Sequence, residues 1–321
     1  MQITCRLLAF LIFLSPHLDF RAVAKETPEG GPVGWGYVRG RDIAVVPRPG
    51  HRGAGVALLR RGALVGLWKW QNKQKTRWAQ VKVVNLENLR PVDGWIESSQ
   101  IEEFPPDKFP TDAALLKLLG GDFLDDFTAP RTEITRFLVQ QRSAGPALIC
   151  FITSRLLPSA RLVPFFSASG KLVPGSALEF PVADIHAGIT SVEVRDLLGD
   201  SNECLITHEP FRIGPQTRGA NEVIRRIEGS QFQTLWKAPV ESRNLDVYPA
   251  RLIVLQPPEK NIGAPGTVAT GEVTFRQHGD LYEPVWKGSV KVHVVGREEP
   301  VQSVPLEKVC PWDGKKFQPL L

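Results

Sequence analysis

The residues able to do covalent chemistry are few and scattered. Beyond residue 24 the chain holds His51, His186, His208, His278 and His293, with Cys150, Cys204 and Cys310. A cysteine hydrolase would need one of these thiols activated by an imidazole. His208-Glu209 and His278-Gly279-Asp280 each set an acid beside a histidine, but local sequence brings no nucleophile to either. No Gly-x-Ser-x-Gly elbow, His-Glu-x-x-His pair, phosphate loop or Gly-x-Gly-x-x-Gly run occurs. No catalytic residue is assigned, and a triad drawn from distant loops stays open. Three cysteines allow one disulfide and a leftover thiol, or three buried small apolar residues. No two lie close in sequence, which argues against a metal site, and no cofactor is indicated.

The residues able to bind are concentrated. From Ile43 to Leu86 there is no acid, against Arg48, Arg52, Arg60, Arg61, Lys69, Lys73, Lys75, Arg77 and Lys82. Within the same stretch lie Trp68, Trp70 and Trp78. Residues 25–104 carry 13 Lys/Arg against 8 Asp/Glu, whereas residues 105–321 carry 24 against 25. So one-sided a segment projects a positive field toward anionic surfaces such as wall polymers or lipid headgroups, or simply forms a solvated basic face. Trp68, Lys69, Trp70, Lys73, Lys75 and Arg77 are the candidate binding residues. The two-residue period of a strand puts Trp68 and Trp70 on one face, where a ring beside Lys69 and Arg77 could stack on a ligand. The other reading has both rings covering an open barrel end.

The chain start gives an address. Arg6 precedes an apolar run from Leu7 to Leu14, Pro16 ends it, and Ala22-Val23-Ala24 offers small residues for cleavage before Lys25. Residues 1–24 therefore read as a secretory signal peptide. The run is too short to span a bilayer, which takes roughly 20 residues, and no later segment is apolar enough. The expectation is an extracytoplasmic protein, periplasmic or secreted, without a transmembrane segment. Nucleic acid is set aside as a partner for an exported chain.

The elements positioning the basic residues are strands. Val38–Val46 reads as a first strand, Ala63–Trp68 as another, Gln71–Lys75 as a polar hairpin loop, and Trp78–Val84 as an alternating strand. Gly94-Trp95-Ile96 opens a closing strand. The order Pro47-Arg48-Pro49-Gly50, then Arg61-Gly62-Ala63-Leu64-Val65, then Arg77-Trp78 with Val81, then Gly94-Trp95-Ile96 resembles the bacterial SH3-like (SH3b) domain across residues 34–104. The resemblance implies a small five- to six-stranded barrel in an exported protein. It also implies a module that binds wall peptides or polymers, or another protein, or acts as a spacer. Trp78 and Trp95 fall at that family's core positions. Phe104-Pro105-Pro106-Asp107-Lys108-Phe109-Pro110 then reads as a stiff, extended linker over 105–110. Thr111-Asp112 should cap a short helix through Leu119, ended by Gly120-Gly121.

Residues 111–321 read as a β-rich domain with an internal repeat. Gly229-Ser230-Gln231-Phe232-Gln233-Thr234-Leu235-Trp236 recurs as Gly279-Asp280-Leu281-Tyr282-Glu283-Pro284-Val285-Trp286, and again from Gly314 to Leu321. Gly170-Lys171-Leu172-Val173 is a fainter copy. Each is a turn glycine followed by a packed strand. The stretch from Val192 to Ile206 resembles blades of the FG-GAP/VCBS propeller type, whose loops bind calcium. Asp196, Asp200 and Glu203 fit that loop in part. Leu198 and Ser201 do not, and Ca²⁺ needs six to eight oxygens, so the loop reads as degenerate with no metal assigned. The fold class expected is all-β: an SH3-like barrel, then a larger propeller-like or sandwich domain. The expected function is an exported, non-catalytic binding or scaffold protein. The alternative is an exported wall hydrolase targeted by its barrel.

Overall fold

The computed structural model describes residues 31–86, 90–120, 132–142, 145–154, 159–181, 188–213, 217–243, 266–293, 299–300 and 302–320. The proposed signal peptide and His186 lie outside them. The molecule is all-β, built from antiparallel sheets of which none closes among the described residues. No helix among the described residues is long and apolar enough to cross a membrane.

The basic segment folds as β1 (Gly34–Val38), β2 (Ile43–Val45), β3 (Ala57–Leu59), β4 (Ala63–Lys73), β5 (Thr76–Asn85), β6 (Arg90–Glu97) and β7 (Ile101–Phe104). The expected strand from Val38 to Val46 is in fact two strands, parted by Asp42 at a positive φ of 57°. The sheet runs β7–β1–β4–β5–β6, and a bridge from Val46 to Trp95 joins β2 and β3 to its far edge. Alternation buries Ala79, Val81 and Val83 of β5 on one face, against Val38, Leu67 and Ile96. Trp78 is buried and Trp95 half-buried.

The proline-rich segment is not extended. Lys108 N–H donates to Pro105 O, closing a turn, and Phe109 is buried edge-on against Trp35 and Phe104. Proline fixes φ but does not prevent a turn, and the apolar gain of Phe109 favours folding back. The helix α1 (Asp112–Leu119) follows as expected. The Thr111 side chain accepts a hydrogen bond from Ala114 N–H, and Gly120 ends the helix at a φ of 84°.

Next come β8 (Thr132–Val139), β9 (Ala147–Ser154), β10 (Ser159–Ala168), β11 (Lys171–Pro174) and β12 (Leu178–Pro181). These strands extend the first sheet. One edge of β4 pairs with β8 at Ala63 and Leu64, then with β5 from Gly66 onward, so the sheet branches at β4. α1 lies on one face of it, burying Leu115 and Leu116 against Leu148, Ile152 and Phe165.

The second sheet is a seven-stranded meander of β13 (Ser191–Arg195), β14 (Cys204–Ile213), β15 (Thr217–Glu228), β16 (Gln231–Arg243), β17 (Gly266–His278), β18 (Leu281–His293) and β19 (Gln302–Val309). The repeat glycines mark its hairpins. Gly229 and Gly279 each open a two-residue loop at positive φ, the geometry such loops demand. Gly314 opens the terminal turn in which Phe317 is buried. Phe137, Ile149, Phe151 and Phe180 of the first sheet pack on Val192, Val194, Leu205 and Ile227 of the second. The other face of the second sheet encloses Trp236, Trp286, Cys310 and Phe317.

Candidate functional site

The β4–β5 hairpin carries all six candidate binding residues: Trp68, Lys69, Trp70 and Lys73 on β4, Lys75 in the turn, and Arg77 on β5. The loop expected over Gln71–Lys75 is shorter, because pairing continues to Lys73 and Thr76. Gln74 and Lys75 form the whole turn at φ of 51° and 65°. That left-handed pair matches strand twist but is unfavourable for residues with a β-carbon.

Trp68 and Trp70 do not share a face. Leu67 pairs with Val81 and Lys69 with Gln80, so Trp68 is an extra residue in a β-bulge. The bulge shifts the period by one. Trp70 lies opposite Ala79 on the core face, with the Arg77 guanidinium stacked 3.6 Å from its ring centroid. Trp68 turns to the other face, where Lys82 Nζ sits 4.0 Å from its ring centroid. Each ring is thus already stacked by a cation of the protein itself.

The cations divide into spent and free. Arg77 pairs with Glu103 at 2.9 Å, Arg60 with Asp42 at 3.6 Å and Arg61 with Glu203 at 3.3 Å. Acids from outside the acid-free segment therefore neutralise part of it. Lys69, Lys75, Arg48 and Arg52 are exposed and have no ion-pair partner among the described residues. Lys73 Nζ donates to Pro49 O at 2.8 Å, which draws the loop carrying Arg48, His51 and Arg52 to the hairpin. The two halves of the basic segment, far apart in sequence, meet through that bond.

The loop with Asp196, Asp200 and Glu203 spends its carboxylates on protein donors. Asp196 accepts from Leu198, Gly199 and Ser201 N–H groups, and Asp200 accepts from Asn202 N–H and faces Arg226. Glu203 is buried, accepting from Gln140 N–H at 2.8 Å and from Arg61. Burial pushes its carboxyl above the usual range, partly offset by those donors. Glu203 thus ties β13–β14 to the β3–β4 turn.

The three cysteines are free, buried thiols. Burial pushes Cys150 and Cys204 each up to about 12, and raises Cys310. A nucleophilic cysteine needs the opposite shift. His208 Nδ1 faces Glu222 at 3.3 Å, and His278 Nδ1 lies 3.6 Å from the buried Glu283.

One feature had no sequence signal. A cleft of about 500 Å³ separates the outer face of β4–β5 from α1 and β8, lined by Trp35, Trp68, Lys82, Glu133 and Arg136 among others. Arg136 is buried, ion-paired to Asp112, and lies 4.9 Å from the Trp35 ring centroid. Its partners lie 24 and 101 positions away, beyond any local pattern. The chain matches no family model, no curated protein and no solved structure.

Proposed function

We propose that this is an exported, non-catalytic binding protein whose SH3b-like module meets an anionic surface, such as cell-wall polymer, through the basic end of the β4–β5 hairpin. The carrying observation is the Lys73–Pro49 hydrogen bond. It holds the loop with Arg48 and Arg52 against the hairpin that carries Lys69 and Lys75, and all four side chains are exposed without an ion-pair partner among the described residues. Such a region binds by field and contact with phosphates or carboxylates rather than by a fitted pocket. Deleting residues 34–104 is a poor test, because β4 pairs with β8. The better test is the full chain with Arg48, Arg52, Lys69 and Lys75 all replaced by glutamine. Co-sedimentation with cell-wall material and with phosphatidylglycerol vesicles should be salt-sensitive. Each cation near an anionic lipid surface contributes about 1 kcal/mol, so the variant should bind at least tenfold more weakly. Equal retention of variant and parent would overturn the reading.

A further inference from the structure

A groove of about 310 Å³ opens between β3 and β13, away from the basic end. Its walls are two strand edges. Val46 exchanges both hydrogen bonds with Trp95 of β6, at 2.9 and 2.8 Å, so Val45 faces the other way, toward β3. Val45 therefore forms its bonded pair with Ala57, and Ile43 with Leu59, while Val56 N–H adds an off-register bond to Val45 O at the strand end. Leu58 N–H and C=O therefore point out from the ribbon, and among the described residues no strand pairs with that edge of β3.

The opposite wall repeats the situation. Val194 N–H leaves the second sheet to reach Arg61 O at 3.0 Å. Two residues earlier, Val192 points its main chain the same way, where no partner stands among the described residues. Val192 is only 3% exposed. A strand laid in the groove would give these main-chain groups the partners they lack among the described residues. The two walls are joined at one end by the Arg61–Val194 bond and part along the groove, as a fork. The apolar lining includes Val56, Leu58, Leu86 and Phe137. Val56 and Leu58 are 38% and 55% exposed, two of the few large apolar side chains the described surface leaves open.

We infer that the fork is a slot for an extended peptide, added as a strand on β3 with an apolar side chain seated between Leu58 and Phe137. Main-chain pairing would supply affinity and the apolar floor would select alternate side chains. The volume lies at the lower end of the roughly 300–1,000 Å³ of ligand sites, enough for a short segment and not for a folded partner.

The test screens the full chain against an array of randomised heptapeptides. Bound peptides should carry apolar residues at alternate positions, and methylating the bonding amides of the best should weaken it at least tenfold. Leu58→Pro removes the outward N–H without touching the β2 ladder, as prolines on edge strands do, and should weaken binding equally. Leu58→Asp keeps the N–H and should weaken binding through the rim. Should Leu58→Pro fail to fold, hydrogen exchange on the unaltered chain decides: the Leu58 and Val192 amides should slow at least tenfold with the best peptide. The proposal is overturned by an array without binders, by binding indifferent to Leu58, by unchanged exchange, or by a homodimer that Leu58→Pro dissociates.

Discussion

At the scale of single residues, the strongest constraint is polar and buried. Arg225 forks onto both oxygens of Glu209, with Nη2 at 3.1 Å from Oε2, and Thr207 Oγ1 donates to the same carboxylate at 2.6 Å. All three are buried between the sheets near Phe180. Removing one partner strands a charge in a low-dielectric core, which costs about 3–5 kcal/mol, whereas replacing both with apolar residues costs much less. Glu209→Ala should therefore shift the urea midpoint far more than Glu209→Leu combined with Arg225→Met. The thiols give a pH signature. Cys150 and Cys204 stay protonated to about 12 when folded, while an unfolded thiol ionises near 8.5. Their contribution is complete below the unfolded value and declines as pH rises, by about 1.4 kcal/mol per pH unit for each thiol. Thermal melts from pH 8 to 10.5 should fall more steeply for the parent than for Cys150→Ala/Cys204→Ala. The sequence left Cys150 open between a disulfide and a buried apolar residue, and its place in the apolar run Ala147–Ile152 fits the second, which the structure shows. The burial of Glu209 was not legible, since its arginine lies 16 residues away on the next strand.

At the scale of elements, hairpins were legible and their irregularities were not. Gly229 and Gly279 announced two-residue turns because only such residues take positive φ without strain. Gln74 and Lys75 both take positive φ without a glycine to announce it, so the loop read longer than it is. Asn-Gly at 74–75 suits this turn, and Gln74→Asn with Lys75→Gly should stabilise the fold by about 0.5–2 kcal/mol. The same change removes a free cation. A variant with a higher Tm and weaker retention on anionic vesicles would tie the strained turn to binding; unchanged retention would make Lys75 dispensable. The Trp68 bulge, too, was invisible, because alternation assumes an unbroken register. In the second sheet, Gly271 and Gly288 pair across β17 and β18. A β-carbon on Gly271 would lie 2.4 Å from the Trp286 ring, whose Nε1–H donates to Pro239 O at 2.6 Å. Gly271→Ala should cost about 1–3 kcal/mol by overpacking and alter the near-ultraviolet dichroism of the buried indole.

At the scale of the molecule, composition and alternation announced an all-β chain, and the sheet order followed from long-range pairing that no local pattern encodes. The β4–β8 pairing is the instance with most consequence. It carries the first sheet across the proline-rich turn, so that Val81 and Ile96 of the basic segment share one core with Phe137, Leu205 and Ile227. Because Phe137 is buried in that shared core, truncating it opens a cavity that both sides line. Phe137→Ala should cost about 3–5 kcal/mol. The loss should register equally in β5 and in β15, since neither keeps a complete core without the other. Hydrogen exchange followed by mass spectrometry can read the two strands separately. Equal loss of protection in peptides spanning Thr76–Asn85 and Thr217–Glu228 marks one cooperative unit. Loss confined to one of them would mean that the sheets unfold independently, and that the basic hairpin could be excised from the chain after all.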